Sequence, residues 1–466
     1  ILARSPIPRD FDFLVIDIDG NDWFIWQSLE DYRPKVVMIE INPFLPADID
    51  FVRWNEKEIK ASASLAAVTR LGRDKGYELI CVVGGNAVFV RREDYALFGI
   101  ADNRPTEMFR SRLETKIFQG YDGNLFLAGY RNLIWRHQLR ADGKLDHVEV
   151  ADEDIQVLPR GLRVFRPRLS YRNAFLEAHA DALDPARVPG NVLLAHRRNV
   201  TSECGEDGIL AHLFERLGTT AGYCVEVGAH DGQRYSNTWS LLNQRGWRGL
   251  LVEKDPEAFA RLAARYAGKA GVTTVQAEAA SAGDAALDRL LAQAGAPRDL
   301  DLLSIDVEGN DYHLWRGLAA HRPCVVVVAF NPTVSNDVAF AQEDDPTVHH
   351  GASLRALVEL GRAKGYELAA ATSWNAVFVA RDLLPRLGLA ARPLEEMYVP
   401  VLEMRIFQSI DSYLSTSGCD RLVWHDYVFD PERLQPLPPD VRAMPFTDGR
   451  LGQLRSTFFA PDRGAS

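Results

Sequence analysis

The sequence predicts an α/β protein built on a doubly wound, mostly parallel sheet with an antiparallel closing strand pair, plus small β-rich appendages. Three observations carry this. Residues 223–255 read as an apolar strand (Tyr223 to Val227), a tight turn bracketed by Gly228 and Gly232, a helical stretch (Thr238 to Gln244) and a second apolar run (Gly249 to Val252) ending on Glu253. That order is a βαβ unit. Strand-like and helix-like segments then alternate through the rest of the chain, which places helices on both faces of a parallel sheet. The third observation is an internal repeat.

The repeat is explicit. IDIDGND at 16–22 returns as IDVEGND at 305–311, GRDKGYEL at 72–79 as GRAKGYEL at 361–368, NAVFV at 86–90 as NAVFV at 375–379, and KIFQ at 116–119 as RIFQ at 405–408. Every pair is offset by 289, and 16 of 27 residues are identical between 64–90 and 353–379. Duplication of one module explains this. The counterparts of the glycine turn and of Glu253 would map upstream of Ile1, so the first copy holds only the second half of the fold and the chain is expected to be a fragment.

Taken in order, a strand Phe13–Ile16 leads to an acidic loop and a helix near Trp23–Leu29, then a strand Val36–Ile41, an insertion Phe44–Ala63 and a helix Leu65–Lys75 ended by Gly76. Tyr77–Val83 and Ala87–Val90 read as the closing antiparallel pair. Residues 105–166 read as a β-rich appendage with YDGN at 121–124 as a hairpin turn. The expected division is 1–168 for the partial first module and its appendage, 169–190 for a linker, 191–390 for a complete module and 391–466 for a β-rich C-terminal appendage. In the complete module a helix near Pro256–Tyr266 and a strand Val272–Ala277 follow Glu253, and Glu278 ends that third strand.

The residue types suit a nucleotide-like ligand at the carboxyl ends of the strands. Glycines allow close backbone approach. A carboxylate ending the second strand can accept both hydroxyls of a ribose, and Glu253 lies 21 residues after Gly232. The turn is not G-x-G-x-x-G, which disfavours a nicotinamide dinucleotide. Glu226 sits where an S-adenosylmethionine (SAM) site places an acid facing a cationic amino-acid tail, and Glu278 can take an adenine amino group. His230 lies in the glycine turn, either at the ligand or merely capping the loop.

Asp306, Glu308 and Asp311 crowd the loop after the fourth strand, with counterparts Asp17, Asp19 and Asp22. Their spacing hints at a calcium loop, but its sixth position is Asp22 or Asp311 instead of Gly and its twelfth Ser28 or Gly317 instead of Glu. No metal site is expected. The plain alternative is helix capping, with Asn21 and Asn310 as N-caps. His349 and His350 align with Lys60 and Ala61, and Trp374 with Gly85, so any role they have is confined to the second copy.

Residues 203–382 resemble the FkbM-like branch of the SAM-dependent methyltransferases. The matching stretches are SECGEDGIL, VEVGAHDG, SNTWSLL, GWRGLLVE, SIDVEGND, AFNPTVSNDVAF and GYELAAATSWNAVFV, in family order. The resemblance implies a class I, Rossmann-like methyltransferase fold with SAM as cofactor. It places Glu226, Gly228, His230, Asp231, Gly232, Asn237, Glu253, Glu278 and Asp306 around that cofactor, and Asp306 and Glu308 beside the transferable methyl. The resemblance implies no particular acceptor; the expected activity is an O-directed methyltransferase acting on a sugar or other small hydroxylated acceptor. The family's usual acid at the end of the fifth strand is Glu40 in the first copy but Ala329 in the second. That departure favours an alternative, a non-catalytic tandem module.

Composition bounds the partners. A net charge of −11 argues against nucleic acid. No apolar run approaches the ~20 residues that span a bilayer. The odd number of cysteines (Cys81, Cys204, Cys224, Cys324, Cys419), none in a C-x-x-C pair, points to buried free thiols in a reducing, cytoplasmic compartment. The expected partner is a small-molecule or glycan acceptor.

Overall fold

A computed structural model describes residues 4, 6–18, 20–52, 62–111, 113–139, 145–165, 183–409, 412–425 and 427–438. Asp19, the pair Lys60 and Ala61, most of the expected linker and the tail 439–466 lie outside the described residues.

Strands β1 (Phe13–Ile16), β2 (Val36–Glu40), β3 (Tyr77–Val83) and β4 (Asn86–Arg91) form a sheet in the order β1-β2-β4-β3. Strands β5 (Thr115–Gln119), β6 (Leu125–Gly129), β7 (Asn132–Leu139) and β8 (Leu145–Glu149) follow. The largest sheet comprises β9 (Tyr223–Val227), β10 (Arg248–Glu253), β11 (Val272–Gln276), β12 (Leu302–Ile305), β13 (Val325–Ala329), β14 (Tyr366–Ala371) and β15 (Asn375–Ala380). Its order is β11-β10-β9-β12-β13-β15-β14. The first five are mutually parallel and β15 runs antiparallel to both neighbours. Strands β16 (Met404–Gln408), β17 (Leu414–Gly418), β18 (Arg421–Leu422) and β19 (Tyr427–Val428) are the last among the described residues.

This order and polarity are those of a class I, Rossmann-like sheet. Its chain order reverses between β9 and β12, and ligands of open α/β sheets sit in the crevice beyond the strand ends at such a point. Full burial explains the run-on apolar sequences: β9, β12, β13, β14 and β15 are buried at every residue. Corrections to the reading are local. The third strand stops at Gln276, so Glu278 lies beyond it, and a helix Leu287–Gln293 that the sequence reading passed over precedes β12. Cys224 and Cys419 are buried, whereas Cys81, Cys204 and Cys324 are half-buried; all five thiols are free.

The four-stranded sheet β1-β2-β4-β3 has the order and pairing of β12-β13-β15-β14 at the 289-residue offset. Packing matches as well. Trp26 stands against Tyr77 and Phe89 as Trp315 stands against Tyr366 and Phe378.

The two halves join through a second four-stranded sheet, β17-β16-β5-β6. Its central pair is antiparallel and centred on Arg405 opposite Lys116, which are equivalent positions. Contacts across it are reciprocal. Lys116 pairs with Asp337 at 2.9 Å and Arg405 with Asp48 at 2.7 Å. Asn42 donates to the Gln408 carbonyl, and Asn331 to that of Gln119. Phe118 meets Phe340 at 4.7 Å and Phe51 meets Phe407 at 4.9 Å. A contact of i with j matched by one of j′ with i′ is the signature of an isologous interface, here inside one chain.

No helix among the described residues is long and apolar enough to cross a membrane.

Candidate active site

A cavity of about 630 Å³ opens where β9, β10, β11 and β12 end, at the reversal of strand order. Its size suits a small-molecule ligand.

Gly228 follows β9 with φ of 85°, and an added Cβ would overlap the Asp306 carbonyl oxygen. The glycine is therefore required for β9 and the loop after β12 to approach each other. Gly232 (φ 73°) is required for a different reason: a Cβ there would lie 2.5 Å from Leu262, in the helix Pro256–Tyr266. Gly232 does not line the cavity, nor does Asp231. The Asp231 carboxylate instead accepts the backbone N–H groups of Gln233 and Arg234, which shapes the turn. Of the expected cofactor residues these two are the ones outside the cavity lining, and the contacts the structure gives them build the loop.

Glu226, in β9, is buried and faces the cavity. It accepts hydrogen bonds from the Ser236 and Thr238 hydroxyls at 2.6 and 2.7 Å and from the Asn237 N–H at 2.7 Å. Burial pushes its pKa up to about 7 despite these donors. Asn237 donates its amide N–H to Ser304, while its Oδ1, buried in the cavity wall, has no partner among the described residues. Unsatisfied buried acceptors are rare, and one in a ligand-sized cavity points to a donor on the ligand.

Glu253 ends β10 at the cavity, buried, accepting the N–H of His230 at 2.7 Å and of Asp255 at 2.8 Å. These bonds fix the carboxylate and leave it lone pairs for further donors. Glu278 lies at the cavity lip, half-exposed and paired with Lys254 at 3.0 Å.

The acidic loop is organised by a residue other than the expected caps. Neither Asn21 nor Asn310 makes a side-chain cap bond. Asp311 instead folds back to accept the Val307 and Gly309 N–H groups at 2.8 and 2.9 Å, as Asp22 does from Ile18 and Gly20. Burial, and next the neighbouring Asp306, push the Asp311 pKa up to about 7. Asp306 and Glu308 line the cavity and Asp311 does not.

Three non-glycine residues of the cavity wall have left-handed backbones: His230 (φ 48°), Tyr235 (φ 62°) and Glu308 (φ 58°). Such conformations cost on the order of 1–3 kcal/mol each and collect at functional sites.

Sequence reasoning missed several cavity residues. Tyr121 and Phe165 come from the first half's appendage and Trp424 from the C-terminal one. Only the inter-module sheet brings them here, and no local pattern announces that. His349 and Trp374, specific to the second copy, also line the cavity, whereas His350 bonds Asp122 at 3.1 Å. Ala329 forms part of the wall where Glu40 stands in the first half.

No family model and no curated protein matches the chain. Among solved structures it is similar to the N-terminal domain of EvdMO1, determined in the presence of S-adenosylhomocysteine (SAH) and D-fucose, at 14% identity over 38% of this chain and 82% of that one, TM-score 0.28. It is similar to a TehB-like SAM-dependent methyltransferase from Corynebacterium glutamicum (15%, 44% and 98%, TM-score 0.24). A third is the glycopeptide N-methyltransferase MtfA complexed with sinefungin (15%, 40% and 94%, TM-score 0.24). Similarities of this strength carry no functional argument, and the chain's strand order and cavity chemistry stand on their own.

Proposed function

We propose that the chain is a SAM-dependent methyltransferase, directed to oxygen on a sugar or other small hydroxylated acceptor. The site belongs to a module of about residues 191–390, and residues 1–168 are the partial copy of a duplicated module. The observation that carries this reading is the convergence of a glycine turn after β9 and a buried carboxylate ending β10 on one cavity at the switch point.

The residues present fit the cofactor. Glu253 would accept the ribose hydroxyls. Glu226 and the unpaired Asn237 Oδ1 would take the ammonium of the amino-acid tail, and Glu278 is placed for the adenine amino group. When bound, the sulfonium supplies the reactivity of the methyl group. The chain's own task is orientation and proton removal. Asp306, at the end of β12, is the group assigned to the acceptor hydroxyl's proton, with Glu308 beside it.

Calorimetry with SAM, SAH and NAD tests the reading. SAM and SAH should bind and NAD should not; binding of NAD alone would contradict it. A second reading, cofactor binding without turnover, is favoured by Ala329. Formation of SAH from SAM with hydroxylated acceptors separates the two.

A further inference from the structure

Beyond the cofactor residues, one end of the cavity is built across the two halves of the chain. Phe165 stacks on the His349 imidazole, with centroids 4.2 Å apart and planes 18° from parallel. The Tyr121 N–H donates to the His349 carbonyl at 2.7 Å. Tyr121 also meets Trp424 edge-on at 4.7 Å, and Trp424 stands 6.0 Å from Trp374. His349 is thus gripped from the first half's appendage. Its third contact is Nδ1 to the Glu308 carbonyl at 3.0 Å. A carbonyl only accepts, so Nδ1 carries a proton, and in the tautomer that this bond selects Nε2 is left as an acceptor.

We propose that this end is a composite acceptor subsite for an uncharged polyhydroxylated ring, a hexose-like sugar, with the first half supplying its aromatic wall and holding His349 as a hydrogen-bond acceptor for a substrate hydroxyl. The inference rests on the methyltransferase reading above. Two features set the ligand class. Aromatic faces offer dispersion contact to a ring's C–H face. The polar side chains of the same cavity, among them Glu203, Arg234, Tyr235, Asp306, Glu308 and His349, offer acceptors and donors together. A ligand that desolvates them must bring several hydroxyls, each both donor and acceptor, which a polyol has and a monophenol lacks. The cavity's carboxylates outnumber its two cations, Arg234 and Lys254, which disfavours phosphorylated or uronic-acid rings. In this arrangement the first half does not need a cofactor of its own to serve the reaction. His349 and Phe165 are positioning residues for binding, and the proton step stays with Asp306.

The test is ligand-observed saturation-transfer NMR on the full chain with SAH, using methyl glycosides of glucose, galactose, mannose and their 6-deoxy forms. Methyl glucuronide and phenol serve as comparison ligands. At least one neutral glycoside should bind, saturated most strongly on its C–H face, and more tightly than glucuronide or phenol. Phe165→Ala and Trp424→Ala should each weaken it about tenfold or more, while the SAH dissociation constant by calorimetry stays within about twofold. Phe165→Tyr, which keeps the platform, should restore binding. With an acceptor that turns over, Phe165→Ala should raise KM and leave kcat nearly unchanged. Glycoside binding unaltered in both alanine variants overturns the composite site, as does an absence of glycoside binding by the SAH-loaded parent or a preference for phenol. Failure of SAH to bind the parent overturns the methyltransferase reading itself.

Discussion

Strands β1 and β12 occupy equivalent places in the two halves, yet their surroundings differ completely. Leu302 is 0% exposed and every residue of β12 is buried between β9 and β13. Phe13, its counterpart, is 53% exposed and Val15 is 47% exposed, because β1 pairs with β2 alone among the described strands. The same sequence pattern thus serves as a sheet centre in one half and as a sheet edge in the other. The acidic loop that follows each strand is folded alike, through Asp22 and Asp311. Among the described residues the second lines a cavity together with a glycine turn and a strand-end carboxylate. Loop geometry alone therefore does not make a site; the neighbouring strand ends do.

The sharpest way to break this comparison is to exchange equivalent acids. Asp306→Asn should lower turnover of an identified acceptor by about 10²- to 10⁴-fold, whereas Asp17→Asn should leave it unchanged. Equal losses would place chemistry in the first half. Next come equivalent core positions. Leu302→Ala should cost about 2–5 kcal/mol in urea unfolding, and Phe13→Ala, half exposed, less than about 1 kcal/mol. Comparable costs would mean that β1 is covered in solution.

A smaller effect concerns the strand-end carboxylate. Charged hydrogen bonds contribute about 1.5–3 kcal/mol, so Glu253→Ala should weaken SAM binding about 10- to 150-fold. Since Glu253 also fixes His230 and Asp255, Glu253→Gln separates ligand contact from loop support. An unchanged dissociation constant in both variants, with the fold intact, would remove Glu253 from the ribose.

The smallest expected effect is a pH dependence. Glu226 and Asp311 have folded pKa values raised to about 7 from 4.5 and 3.8. The folded state then holds more protons than the unfolded state between those values. Their contribution to stability is fully present below the unfolded pKa values and is lost as pH rises through about 7. The melting temperature of the unliganded chain should carry a component that falls across that window. Glu226→Gln and Asp311→Asn should each flatten it, and an unaltered slope in both would contradict the buried-acid account. An ammonium beside Glu226 favours its ionised form, so SAM affinity should weaken as pH falls below about 7.

Much of this was legible in the sequence, for physical reasons. Buried parallel strands need run-on apolar segments, which made β9, β10, β12 and β13 readable. A 289-residue offset exposed the equivalence of the halves. Glu226, Glu253, Asp306 and Glu308 could be singled out because they lie near strand ends at a switch point, and all four line the cavity. Asp231 and Gly232 lie outside the cavity lining, which a turn motif does not reveal; one builds the turn and the other admits a helix. Capping by Asn310 failed because Asp311, one residue on, reaches the same loop with two acceptor oxygens. Tyr121, Phe165 and Trp424 were invisible because their place depends on pairing between strands nearly three hundred residues apart, which periodicity does not encode.

The central claim of the proposed function is that the cofactor is held at the cavity beyond β9, β10 and β12. Titration of the full chain with SAH in a calorimeter tests it most directly. The account predicts a single site, abolished by Gly228→Val, where the new side chain meets the Asp306 carbonyl, and untouched by Asp17→Ala. Two equivalent sites, or a single site that survives Gly228→Val and disappears with Asp17→Ala, would contradict it.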